Sequence, residues 1–160
     1  MDLQITYLKI LQDTLEKKQK IMQKIYQETR RQEQLLKKTT DQTAELDQCM
    51  DRKSEYLQAL NELDDGFEMI YVKVKDTLQK SPGQFQKEIE ELKKLISHIM
   101  DLSVSIQALE QRNKLSMQRY LLYHRKNIQT YRSGQKKVGS YYNSMTGFNS
   151  YQSYFMDKKK

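Results

Sequence analysis

A seven-residue repeat begins at Leu8, persists to Phe67, and sets what this chain can fold into. One seam position carries Leu8, Leu15, Met22, Thr29, Leu36, Thr43, Met50 and Leu57. Its companion carries Leu11, Lys18, Ile25, Gln32, Thr39, Leu46, Lys53, Leu60 and Phe67. Side chains at this spacing share one helix face, so the burial on offer is a narrow stripe between long helices. The stripe thins between Gln32 and Thr43, where β-branched Thr39, Thr40 and Thr43 gather. Asp41 is placed there to cap a new helix, with Glu45 in its first turn. Two versions follow: one helix of about 75 residues, or two helices with a joint near 39–42.

The periodicity continues in Leu60, Leu63, Phe67, Ile70, Val74 and Leu78, with Gly66 inside it. A glycine costs a helix roughly 1 kcal/mol relative to alanine. Apolar contact on both sides outweighs that, so the helix runs on, with Gly66 a point where it can bend. Ser81-Pro82-Gly83 is the clearest break. The residue before a proline is pushed out of helical geometry, which ends the helix near Lys80, and Ser81 can cap the next helix with Pro82 in its first turn. A second long helix is predicted from about Phe85 to Tyr131. Its stripe of Phe85, Ile89, Leu92, Ile96 and Ile99 is broadened by Leu95, Leu102, Ile106, Leu109 and Met117, as for a helix with more than one neighbour. At 1.5 Å per residue it is a rod of roughly 70 Å, and the short 81–83 connection makes it antiparallel to its predecessor. Asn113 sits on or beside the apolar face, where it either fixes register or faces solvent at the seam's edge.

Beyond Ser133 the character changes. Gly134, Gly139 and Gly147 and several serines interrupt helical spacing, and Tyr141, Tyr142, Phe148, Tyr151, Tyr154 and Phe155 appear without a helical stripe. The expected fold is therefore all-α: an elongated antiparallel helical hairpin or coiled-coil bundle of two to three long helices over residues 1–132. A flexible or conditionally ordered, basic, Tyr/Ser/Gly-rich tail over 133–160 follows it, docking on the body or on a partner. Composition agrees. Only 37% of residues are apolar, short of the roughly 45–50% of a globular domain, and slim helices need fewer because most of their surface stays wet.

Charge is unevenly placed. Residues 1–80 carry 14 Lys/Arg and 15 Asp/Glu, against 14 and 6 over residues 81–160; beyond Arg112 the only acid is Asp157. Such asymmetry points to an interaction surface rather than to chemistry. Cys49 is the single cysteine, which excludes a disulfide-stapled fold. The start, Met1-Asp2-Leu3-Gln4, lacks the form of a signal peptide, and no segment has the roughly 20 apolar residues of a membrane span. The reading is of a soluble, cytoplasmic protein.

Catalysis finds no constellation. His98 and His124 are far apart, and neither has ligand-type neighbours at zinc spacing, so both are read as solvent-facing helix positions. Cys49 has no histidine in sequence reach and is read as a seam-edge residue. Adjacent acids such as Asp64-Asp65 and Glu90-Glu91 point to different parts of a helix surface, and the glycines form no phosphate-binding loop. No enzyme, cofactor, metal or small-molecule substrate is expected.

Three stretches carry a resemblance: Lys53-Ser54-Glu55-Tyr56-Leu57-Gln58-Ala59-Leu60-Asn61-Glu62-Leu63-Asp64-Asp65-Gly66-Phe67-Glu68, then Ser103-Val104-Ser105-Ile106-Gln107-Ala108-Leu109-Glu110-Gln111-Arg112-Asn113-Lys114, and the ending Phe155-Met156-Asp157-Lys158-Lys159-Lys160. Over nearly its whole length the chain resembles the clostridial-type branch of the FlgN family of flagellar export chaperones. The FliT chaperones are similar in size and helicity. The resemblance implies binding to the C-terminal, assembly-forming helical segment of hook–filament junction proteins. It implies blocking of premature assembly and delivery to the flagellar type III export gate and its ATPase components. Gln111-Arg112-Asn113-Lys114-Leu115 resembles the family's Asn-centred segment, and Ser116 to Tyr131 its client-binding part. Tyr120 and Tyr123 are the nearest candidates for gate docking, and the extended tail departs from the shorter family pattern.

The physical counterpart is a helix-in-groove cover for an exposed amphipathic client helix. The cover is expected from Leu109, Met117, Tyr120, Leu121 and Tyr123 beside Asn113, with adaptable Met117 and broad tyrosine faces. Arg119, Arg125, Lys126 and Arg132 would steer acidic client or gate surfaces. The alternative is that these apolar residues only complete the bundle. Rivals to a chaperone are a self-assembling coiled-coil adaptor, which would be a homo-oligomer, and nucleic-acid binding through Tyr141, Tyr142 and Tyr151 beside Lys136 and Lys137. Charge there is too diffuse, and recognised motifs too few, to favour nucleic acid. Three terminal lysines would hold anionic lipid only weakly.

Overall fold

The computed structural model describes residues 3–125 and 128–145, and within them all side chains except those of Pro82 and residues 128–131. Three long helices make the body: α1 (Leu3–Leu36), α2 (Thr43–Lys80) and α3 (Gln86–Tyr123). A fourth, α4 (Ile128–Ser144), is shorter, and a single 3₁₀ turn, Pro82–Phe85, links α2 to α3. The described residues contain no strand. At 1.5 Å per residue the long helices measure about 50–57 Å.

The joint in the first half of the chain is real. α1 tightens into i→i−3 bonds at its end, from Lys37 N–H to the Gln34 carbonyl and from Lys38 N–H to that of Leu35. Asp41 then accepts the Thr43 N–H at 2.9 Å, so its side chain offers the backbone an alternative to helix. The chain turns back here. Lys18 pairs with Asp64, Glu28 with Arg52, and Gln32 with Met50, an order that runs oppositely along α1 and α2. At the second break the helix stops at Lys80, and Pro82 opens the 3₁₀ turn with Ser81 at its cap position. Gly66 interrupts nothing, since α2 is continuous through it.

Away from the joint, where Leu36 and Thr43 are half-buried and Thr39 is exposed, the two seam positions read from sequence are the buried face. Leu8, Leu11, Leu15, Met22 and Ile25 of α1 are at most 1% exposed, and so are the polar occupants of the same stripe, Lys18, Thr29, Gln32 and Lys53. α1 packs against both α2 and α3, while the backbones of α2 and α3 stay apart and meet chiefly through side chains such as Lys53 and Glu110. α4 lies against α2 and α3, on the side away from α1.

Two features depart from the sequence reading. The second long helix ends at Tyr123 rather than Tyr131, with His124 N–H bonding the Tyr120 carbonyl and Arg125 N–H that of Leu122. Residues Ile128–Ser144 are helical in spite of two glycines and cross residue 133, where the composition changes. The reason is tertiary. A weak helix former becomes helical when a groove buries its apolar stripe, here Val138 and Tyr141. Of the tail expected over 133–160, residues 146–160 lie outside the described residues.

Candidate functional site: the groove filled by α4

Because α2 and α3 stand apart over α1, a groove runs between them, and α4 occupies one end of it. Leu46 and Met50 of α2 and Met117 and Leu121 of α3 face Gly134 and Val138 of α4 around a cavity of roughly 330 Å³. Gly134 lets α4 come close. A Cβ built there would stand 2.5 Å from Leu121 Cδ2, nearer than real side chains approach. Lys137 anchors the outer edge, 2.6 Å from Asp47 and 3.2 Å from Asp51. These pairs are exposed enough that water screens most of their attraction.

The inner edge is a buried polar cluster. Lys53 Nζ donates to Glu110 Oε1 and to Gln32 Oε1, both at 2.7 Å. The Tyr141 hydroxyl donates to Glu110 Oε2, and the Tyr142 hydroxyl donates to the Glu110 backbone carbonyl at 3.2 Å. Lys53 also lies over the Tyr141 ring, 4.4 Å from its centroid. Asn113 donates to the Thr29 carbonyl at 2.8 Å and approaches Gln32 Oε1 at 3.3 Å, tying α3 to α1. Burial pushes the Lys53 ammonium below its ordinary pKa against the pull of Glu110. It raises both tyrosines above theirs, with the Glu110 charge adding to the effect.

The residues singled out from sequence divide into three groups. Leu109, Asn113, Met117 and Leu121 are buried in the bundle. Tyr120 is half-buried and braces the joint: its hydroxyl receives the Gln42 N–H at 2.9 Å and donates to Asp41 Oδ1 at 3.0 Å. Arg119, Tyr123 and Arg125 are exposed, Tyr123 at 77% beside Leu122 at 51%, and Lys126 lies outside the described residues. His98 is exposed, and His124 is half-buried against the rings of Tyr120 and Tyr123. Burial raises the Cys49 thiol to about 11, so it stays protonated and inert.

Sequence reasoning put Lys53 in the seam but did not join it to Glu110 and Tyr141. The signal was present in two lysines, Lys18 and Lys53, occupying seam positions of the repeat, where a charge needs a buried partner. Asp64 and Glu110 are those partners.

The brace at the joint has a pH dependence. Hydrogen bonds from Thr43 and Tyr120 hold the Asp41 carboxyl down at about 2. A depressed acid contributes stability above its unfolded pKa and loses it as pH falls through the folded value. The joint should therefore loosen between about pH 4 and pH 2. Tyr120→Phe should cost about 1 kcal/mol and speed amide exchange at Gln42 and Thr43; unchanged exchange would show that the brace is idle.

Among the described residues no three of His, Cys, Asp and Glu gather as metal ligands, and no described helix is long and apolar enough to cross a membrane. What the bundle presents is a groove between two helices, filled at one end by a poor helix. The chain belongs to the FlgN family: the family model described as "FlgN protein" matches residues 1–146. Its function is thus of the chaperone type, non-catalytic and part of bacterial flagellum biogenesis. No curated protein and no solved structure gives a significant match.

Proposed function

We propose that this chain is a cytoplasmic flagellar type III export chaperone whose client is the C-terminal helical segment of hook–filament junction proteins. It keeps that segment from assembling early and carries it to the export gate. The observation that supports the reading is the weakness of α4 as an occupant. It contains Gly134 and Gly139, each worth about 1 kcal/mol against helix, and among its described side chains only Val138 and Tyr141 are fully buried apolar ones. A client helix with a fuller apolar stripe displaces it by helix-in-groove packing.

Contact within 109–132 then has a definite geography. Leu109, Asn113 and Tyr120 hold the bundle. Met117 and Leu121, with Leu46 and Met50, become available when α4 lifts. Leu122 and Tyr123 are exposed from the outset, and Arg119, Arg125 and Lys126 steer the approach of acidic surfaces. Mixing the intact chain with a peptide of a junction protein's C-terminal segment should give a soluble 1:1 complex by light scattering. Leu122→Asp/Tyr123→Asp, two exposed positions, should weaken it about tenfold, the scale of one or two rim contacts. Failure of every junction-protein segment to form a complex would end this reading.

A further inference from the structure

A second groove lies on the opposite flank of the hairpin, between α1 and α2 and away from α3. Its floor is Ile21, Ala59 and Leu63, and the trough encloses roughly 420 Å³. Its α1 rim is Lys17, Lys20 and Lys24, against a single acid, Glu62, on α2. All three lysines are exposed. Among the described residues Lys17 and Lys20 meet no acidic partner, and Lys24 meets only the Tyr56 ring, 5.9 Å from its centroid.

Gly66 supplies an independent observation. It sits inside α2 on the flank of Ala59, Leu63 and Ile70, seven, three and four residues away, so helical spacing places it on the same flank, one turn beyond the Leu63 end of the trough. A glycine there is worse for the helix than alanine, and nothing in the fold requires it, since an added Cβ would touch no atom within 4 Å. Absence of a side chain serves close approach by another backbone. The chain's own backbone does not make that approach among the described residues.

We propose that this groove is a second docking surface, and that its occupant is an amphipathic helix of another protein with an acidic flank. The apolar side of the visitor rests on Ile21, Ala59 and Leu63, its backbone passes over Gly66, and its acids face Lys17, Lys20 and Lys24. The proposal does not rest on client binding at the α4 groove, which lies on another face. The experiment uses the isotope-labelled full chain with a synthetic leucine-striped helix bearing a Glu flank, and the same helix with a Lys flank.

The Glu-flanked helix should shift the resonances of Ile21, Ala59, Leu63 and Gly66 and bind more weakly as salt rises. K17E/K20E/K24E should reverse the preference toward the Lys-flanked helix. Gly66→Leu should cut affinity about tenfold by blocking the trough, as removal of a central contact does, while leaving the melting temperature unchanged or higher. L122D/Y123D should leave this binding intact, which separates it from the client site. Equal binding of both helices, shifts mapped elsewhere, or unimpaired binding by G66L would overturn the proposal. So would self-association of the chain that K17E/K20E/K24E removes, because the occupant would then be a second copy.

Discussion

Glu110→Ala should lower the unfolding free energy by about 3–5 kcal/mol, the range for removing one member of a buried ion pair. The size follows from what Glu110 answers. Its carboxylate takes the Lys53 ammonium and the Tyr141 hydroxyl, each well inside the bundle. Without it Lys53 is left, among the described residues, with Gln32 as its hydrogen-bond acceptor and no opposing charge at contact. Urea denaturation measures the loss, and K53M/E110L should recover most of it, because apolar residues of similar volume remove the buried charge instead of stranding it. If E110A and the double variant were equally destabilised, packing rather than charge pairing would be the cause. The tyrosines add an alkaline signature. Their folded pKa values lie above the ordinary phenol value of 10, so the folded state keeps its protons longer. That stability is present below about pH 10 and is lost as pH rises further, and α4 should leave the groove in that range.

Gly134→Val should detach α4 while leaving α1, α2 and α3 assembled. An added Cβ collides with the tip of Leu121, so the leucine must turn aside toward the neighbouring cavity, and the two branches of valine crowd it further. Overpacking of this kind costs roughly 1–3 kcal/mol, comparable with what a short helix burying two apolar side chains gains. Three readouts should move together: phenol titration of Tyr141 and Tyr142 back toward ordinary values, faster exchange over Ile128–Ser144, and unchanged protection of the α1 core. If the proposed chaperone role is right, client affinity should rise about tenfold or more, since the client no longer competes with α4. Tighter α4 protection with weaker client binding would contradict both the clash and the competition.

Much of this architecture could be read from spacing alone. The repeat identified most of the buried face of α1 and α2, including the polar sites Lys18, Thr29, Gln32 and Lys53 but not Leu35 or Cys49, because burial in a helical seam depends on position before it depends on chemistry. Proline chemistry placed the α2–α3 turn, while the joint was one of two open versions, and the Thr43 N–H bond to Asp41 decides for it. α4 escaped because its signal is tertiary. Val138 and Tyr141 stand three residues apart, a helical interval, but glycines and serines between them argue locally for a loop, and only the groove overrides that preference. The candidate contact residues were legible as a stretch, not as a surface. Sequence periodicity puts Leu109, Met117 and Leu121 on one broad stripe, yet it cannot say which neighbour covers each part. Asn113 had two open readings, and its bond to the Thr29 carbonyl decides for the buried one.

The placement of α1 between α2 and α3 has a bearing on how the molecule is born. A ribosome releases the amino-terminal helix first, and here that helix is the axle to which both later rods attach. Each newcomer finds its mate already waiting, so assembly can keep pace with translation and needs no rearrangement of earlier parts. The weak fourth helix arrives last, when the channel it enters has just been completed.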